Sequence, residues 1–430
     1  MIDGDDVGRD NGPGRATLRL GLLFGVIYFV QGVGEPTEGL IAQPVRSLLK
    51  SWGRGDAEIA MFSAVLGIPW SLKPLYGLLT DFVPLAGSRR RGYLIVTAAA
   101  TALGLAAVSA WPPAAGQAGV LLAWLLIPTT AVAFSDVVAD GLMIDQGRPR
   151  GITGTLQAVQ WACLYAATIV TGLLGGYLSA HRLERLGFLI GGGLSAVTLV
   201  LAIAVVREEP TPRPRVGLRR ALRGLAPLAR SRGLWTVGAF LFLWNFNPFS
   251  QAVLYLHMTR ALGLGEQFYG TTVALQGVAS IAASVGYGFY CRRVPMRILV
   301  HASVVLGIVA TAAYGLLVDR PSALAVTLAV GLTYMTATLI QLDLAARACP
   351  PEVAGTAFAL LMALENLASS GSTVLGGLLY QWGTGLWGSP AAFRLLVAVG
   401  AATTACCWPL VRWLPDGADP APSARPPGPA

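Results

Sequence analysis

Charge is scarce in this chain. Of its 430 residues, 12% are Asp, Glu, Lys or Arg, against roughly 25% in soluble domains. That shortage excludes a fold bathed in water on every side, and the 54% of hydrophobic residues calls for lipid instead. Polar–apolar alternation at period two is missing, which excludes a transmembrane β-barrel and leaves helices as the spanning element. Cysteine is sparse. Cys163, Cys291, Cys349, Cys406 and Cys407 are odd in number and lack metal-ligand spacing, so neither a disulfide framework nor a metal site is predicted. There is no phosphate-binding loop and no nucleophile beside a base, so neither an enzyme nor a cofactor is expected. The net charge of +9 raises nucleic acid as a partner. The arginines, however, sit in short loops between apolar runs, a pattern of membrane topology and not of a nucleic-acid surface.

Long apolar runs are what the chain has in abundance. A helical span needs about 20 apolar residues. Twelve are predicted, at 18–48, 57–83, 92–111, 118–145, 152–179, 186–206, 233–259, 266–290, 297–318, 322–346, 353–381 and 390–413. The predicted fold class is all-α, a polytopic membrane protein of two pseudo-symmetric six-helix bundles. The bundles are 18–206 and 233–413, flanked by an N-terminal segment 1–17, a basic linker 207–232 and a Pro/Ala-rich tail 414–430. The acidic start before the first span does not fit a cleaved signal peptide, so that span is expected to be retained. Within the linker, Val216 to Leu228 can form an amphipathic helix lying on an anionic leaflet. Twenty-two arginines fall on the side of the termini and linker, against eight Arg and Lys on the other. Both termini are therefore expected in the cytoplasm, with the chain a monomer in the cell membrane.

The stretch GIPWSLKPLYGLLTDFVPLAGSRRRGYL, Gly67 to Leu94, organises the rest. It places Lys73 in an apolar helix, where an unpaired charge costs at least ~2.5–3.5 kcal/mol. A partner must lie elsewhere in the chain.

The halves repeat. Pro149, Gly154, Thr155, Gly175 and Gly176 recur as Pro350, Gly355, Thr356, Gly376 and Gly377, all offset by 201. Tyr76-Gly77 before Arg89–Arg91 is echoed by Tyr287-Gly288 before Arg292-Arg293. Two parallel six-span repeats joined by a basic loop are the architecture of major facilitator transporters, with the solute site between the halves near the midplane.

Particular motifs narrow this. The run Gly77 to Asp81 followed by Gly87 to Arg91 resembles the loop signature of major facilitators. PWSLKPLYGLLTDFVPLAGSRRRGYL, AFSDVVADGLMID (133–145), FLFLWNFNPFSQAVLYLH (240–257), YGFYCRRVPMR (287–297) and AARACPPEVAGTAFALLMALENLASS (345–370) together resemble the folate–biopterin transporter family. The resemblance implies proton-coupled movement of folates or pterins. It also implies a gating role for Gly77, Asp81, Arg89, Arg90 and Arg91, the aspartate helping to hold one conformation closed against the neighbouring half.

Ionisable residues inside spans are functional candidates by default. Asp136 and Asp140, four apart, project from one helix face and are candidate partners of Lys73. Like-charge repulsion and desolvation favour a proton on the second aspartate; a static ion pair that fixes helix packing is the alternative. Gln31, Glu35 and Glu38 share a face of the first span around Pro36, and a broken helix there must border protein or a water-filled cavity. Glu35 and Glu38 join the proton-coupling candidates. Amides and indoles suit a flat, hydrogen-bonding heterocycle. On that ground Gln31, Gln157, Gln160, Trp161, Trp244, Asn245, Asn247, Gln251, Gln341, Asp343, Glu365 and Asn366 are the candidate solute contacts. One visible intramembrane cation, Lys73, faces six carboxylates, so the expected solute is a neutral or cationic heterocycle, or an anion taken up only with several of those carboxylates protonated. The competing readings are a muropeptide-permease-like or drug-efflux facilitator, and a non-transporting facilitator-fold protein serving pigment delivery or assembly.

Overall fold

The computed structural model describes residues 13–85, 87–208, 231–290, 293–349 and 354–414. The predicted surface helix at 216–228 and the terminal segments 1–12 and 415–430 lie outside the described residues. Regular structure among the described residues is helical. The first half holds α1 (Pro13–Gly34), α2 (Ala42–Ser51), α3 (Asp56–Ser71), α4 (Lys73–Phe82), α5 (Arg91–Ala110), α6 (Ala118–Gly147), α7 (Thr153–Ala180) and α8 (Glu184–Ala204). The second holds α9 (Arg232–Asn245), α10 (Gln251–Leu256), α11 (Glu266–Tyr290), α12 (Met296–Ala313), α13 (Arg320–Ala348), α14 (Ala354–Trp387), α15 (Ser389–Ala405) and α16 (Trp408–Val411). Among the described residues, eleven stretches are long and apolar enough to cross a membrane. The remaining predicted span, 233–259, is split between α9 and α10, the latter continuing into a π turn at His257–Ala261.

Each half thus opens on a broken helix, and each break has a local cause. Pro36 has no N–H to continue α1. The Glu35 carboxylate takes the N–H groups of Thr37 and Glu38, at 3.0 and 2.9 Å. Gly39 N–H then donates to Glu35 O and Leu40 N–H to Val33 O. A Cβ on Gly39 would lie 2.7 Å from Val33 O, so the turn needs glycine. In the second half Asn247 Oδ1 accepts from Phe249 N–H at 3.0 Å, and Ser250 caps α10 through Val253 N–H. Side chains thereby supply the backbone partners that lipid cannot.

The halves meet along two equivalent seams, α3 against α14 and α7 against α11. Both are lined by small residues. A Cβ on Gly172 would lie 2.6 Å from Ala274 N, one on Gly176 2.9 Å from Gly270 Cα, and one on Gly377 3.2 Å from Ala57 Cα. Gly176 and Gly377 are partners in the 201-residue repeat. Close approach of small residues is the usual way for helices to associate where no water is available to drive them together.

The end of the bundle carrying residues 51–56 and 260–265 is closed across the halves. Lys50 pairs with Glu266 and Arg260 with Asp56. Gln43 Nε2 donates to Glu266 O at 2.7 Å, and Ala57 N–H to Gln381 Oε1 at 2.9 Å. Lys50 and Glu266 are mostly buried, so removing one partner strands a charge at a cost of about 3 kcal/mol. Lys50→Glu should lower the melting temperature of the detergent-solubilised protein, and adding Glu266→Lys should recover most of the loss.

At the opposite end, Glu208 receives the N–H groups of Arg89, Arg90 and Arg91 and the Ser88 hydroxyl, all within 2.8–3.2 Å. It is an anion on the N-terminus of α5, where exposed N–H groups and the helix dipole favour one. Partial burial works against its charge, but the donated N–H and O–H bonds outweigh that and hold the carboxyl below its ordinary range. A depressed carboxyl stabilises above its unfolded value and loses that contribution as pH falls through the lower folded one. Glu208→Gln should therefore cost about 0.5–2 kcal/mol of cap stability at neutral pH. The difference from wild type should vanish in acid, as followed by melting temperature against pH.

Candidate functional site

The halves enclose a cavity of two lobes. The larger, about 370 Å³, is lined by Trp70, Trp244, Asn245, Asn247, Tyr334 and Asn366 among others. The smaller, about 240 Å³, lies between α2, α7, α11 and α13. Glu38, Arg46, Gln251, Gln276 and Tyr334 line both.

Beside the larger lobe sits a charged cluster within the first half. The step from α3 to α4 occurs at Leu72, where Pro74 withdraws a donor and Lys73 begins the new helix. Lys73 Nζ donates to Asp136 Oδ2 at 2.6 Å and lies 4.7 Å from the ring centroid of Trp70, a lobe residue. Asp136 Oδ1 accepts from Gln31 Nε2 at 2.5 Å. One turn on, Asp140 Oδ1 accepts from the Tyr28 hydroxyl at 2.7 Å and from Gln160 Nε2 at 3.0 Å. Asp136 is 7% exposed. Three helices, α1, α6 and α7, together with Lys73 at the start of α4, assemble this cluster. Its two carboxylates differ in kind: Asp136 has a cation, while the bonds to Asp140 come from neutral donors.

Other candidates are distributed more widely. Trp244, Asn245, Asn247, Gln251 and Asn366 line the larger lobe, and Asn366 Nδ2 reaches across the halves to Trp70 O at 3.1 Å. Glu365 lies beside Asn245 and faces Lys73. Glu35 lines the lobe too, but its carboxylate is occupied by the α1–α2 turn. Trp161 is half-exposed and stacks on Tyr165, which lines the smaller lobe. Gln157 is exposed and lines neither lobe. Gln341 and Asp343 are also away from both lobes. Gln341 is buried with its amide on Ala337 O at 3.3 Å, and Asp343 pairs with Arg347 at 2.9 Å one turn along α13.

Of the gating candidates, Asp81 Oδ1 accepts from Arg89 Nη2 at 3.1 Å and Arg90 Nη2 at 2.8 Å. Arg90 also lies 3.6 Å from Asp145, its guanidinium against Gly141 of α6. Arg91 bonds the carbonyls of Ala202 and Ile203 at the end of α8. All of these contacts stay within the first half. Gly77 faces Val137 at ordinary contact distance.

Arg46 is the residue that sequence reasoning missed. The sequence placed it at the end of the predicted span 18–48 and among the eight far-side charges. The break at Pro36 instead turns α2 inward and buries Arg46 in the cavity wall, 5% exposed. The signal was present: a proline-broken helix followed by the apolar-patterned AQPVRSLLK describes a segment that folds back into the bundle.

The BT1 family profile matches residues 39–421. A folate-biopterin transporter of Synechocystis sp. is 29% identical over 377 residues, covering 83% of this chain and 74% of that one. Folate transporter 1 of Plasmodium falciparum is 21% identical, covering 82% and 71%. Among solved structures, a D-xylose-proton symporter superposes with a TM-score of 0.71 at 13% identity, covering 94% of this chain and 99% of its own. A nucleoside transporter superposes at 0.67 and 12%, covering 92% and 98%. The match over nearly the whole length, on two helical halves around a central cavity, means that the chain belongs to the BT1 family of transporters and has the major facilitator fold.

Proposed function

We propose that this protein is a proton-coupled secondary transporter that moves a small planar heterocycle of the pterin or folate kind by alternating access. The observation that carries the reading is the Lys73–Asp136–Asp140 cluster beside the cavity. One lysine balances one of two aspartates. With Asp140 protonated the cluster is neutral; without the proton it carries one net negative charge in a site shielded from water. An unpaired charge at membrane depth costs at least ~2.5–3.5 kcal/mol, so binding or losing that proton is large enough to bias one conformation over another. The relatives' names support the solute class, and so do the tryptophans and amides of the larger lobe, which suit a flat ring with polar edges.

The arginine bias puts both termini in the cytoplasm of a cell membrane. The end closed by Lys50–Glu266 and Arg260–Asp56 then faces outward, and the gating arginines, bonded within their own half, belong to an open cytoplasmic side. The bundles 18–206 and 233–413 act as the moving bodies, in a monomer, with the solute and protons as the partners.

The test is uptake into proteoliposomes of pterins, folates, muropeptides and cationic drugs, with and without an imposed pH gradient. Flux of pterins or folates that rises with the gradient supports the reading; gradient-driven flux confined to muropeptides or drugs, or no flux at all, overturns it. Asp140→Asn should abolish gradient-driven uptake while leaving solute exchange in place. Asp136→Asn should impair both, because it strands Lys73 at a cost of about 3–5 kcal/mol. Full gradient-driven uptake by both variants would dismiss the coupling role.

A further inference from the structure

Arg46 is the cation among the charged residues lining the two lobes, and it stands where they meet. Its side chain is 6% exposed, whereas that of its partner Glu38 is 62% exposed. Arg46 Nη2 donates to Thr37 O at 3.1 Å and to Glu38 Oε1 at 3.0 Å. The guanidinium also donates to the Tyr269 hydroxyl. A guanidinium presents five donors in a planar fork that matches a carboxylate in two-pronged fashion. Glu38 uses one prong only.

The pair is therefore lopsided. The arginine is locked in the wall by Thr37, while the carboxylate opposite it is free to swing into the cavity. The remaining buried cation of the cluster, Lys73, is committed to Asp136, and Lys50 to Glu266. Neither lines a lobe.

We propose that Arg46 is the docking point for a carboxylate arm of the transported solute, with Glu38 as the internal carboxylate that the arm displaces. The ring lies in the larger lobe among Trp70, Trp244 and Tyr334, and the arm reaches the junction of the lobes. The exchange preserves charge balance at the arginine and releases Glu38 to the cavity. This reverses the expectation of a neutral or cationic solute, which came from counting Lys73 alone. It deepens the transporter reading and rests on it for the ring, but not for the carboxylate.

The test is equilibrium binding to the full-length protein in lipid nanodiscs, followed by tryptophan fluorescence. The probes are folic acid, 6-hydroxymethylpterin, which has no carboxylate, and p-aminobenzoylglutamate, which has carboxylates but no pterin. Arg46→Gln should weaken folic acid and p-aminobenzoylglutamate at least about tenfold and leave hydroxymethylpterin nearly unchanged, since the lost bonds are charge-assisted. Arg46→Lys should retain part of the affinity. Glu38→Gln removes the competitor and should tighten both carboxylates. That measurement also decides the matter should Arg46→Gln fail to fold.

Equal weakening of all three probes by Arg46→Gln would make the arginine a structural clamp for the turn. Weaker carboxylate binding by Glu38→Gln would also overturn the proposal. If hydroxymethylpterin binds but carboxylates gain nothing from Arg46, the carboxylate site falls and the pterin reading stands. If only p-aminobenzoylglutamate binds, in an Arg46-dependent way, the pterin reading falls and the site stands.

Discussion

The ion pair between Lys73 and Asp136 is the contact on which the first half is arranged. Neither charge is tolerable alone at that depth, because the medium that would solvate it is absent. Bringing them within 2.6 Å requires the α3–α4 step at Leu72, which swings Lys73 toward α6. It also brings α1 and α7 close enough for Gln31 to donate to Asp136 Oδ1, and for Tyr28 and Gln160 to donate to Asp140 Oδ1. The cluster is thus a packing device and a chemical one at once. The same four-residue spacing that puts both aspartates on one face leaves one of them without a cation.

A second constraint acts on the backbone. Two helices break where the cavity lies, and at each break side chains take over the hydrogen bonds the helix gives up. Glu35 illustrates the consequence. It sits where a proton-carrying carboxylate would be sought, yet its two oxygens are spent on Thr37 and Glu38 N–H groups. There it holds a turn that sends α2 back into the bundle, and that turn buries Arg46. Glycines at the α7–α11 and α3–α14 seams stand beside these breaks, a Cβ on Gly175 meeting Leu40 O and one on Gly376 meeting Pro248 O, and the cross-half ion pairs close over them.

The cavity follows from these two constraints together. Its walls include amides, aromatic rings, the Arg46 guanidinium and the carboxylates of Glu35 and Glu38, and the charged cluster is reached through Trp70, which lines the larger lobe and whose ring lies under Lys73. The proposed solute and proton sites are therefore adjacent without being the same.

Much of this was legible before any coordinates. Span positions, the repeat offset of 201, and the breaks at Pro36 and Pro248 are local properties: hydropathy along a helix and the missing N–H of proline do not depend on what lies opposite. The seam glycines were visible as a repeat, though not as a seam. What the chain's order of residues could not decide is which partners meet. Asp136 finds Lys73 across 63 positions and Glu266 finds Lys50 across 216. Gln341 and Asp343 shared every sequence credential of the cavity residues, yet the rotation of α13 turns them to Ala337 and Arg347. Composition and periodicity thus determined where the apolar helices run. Only the packing of those helices, through their rotations and the close approach of distant backbones, selected which buried charges are paired, which are spent on the main chain, and which face the cavity.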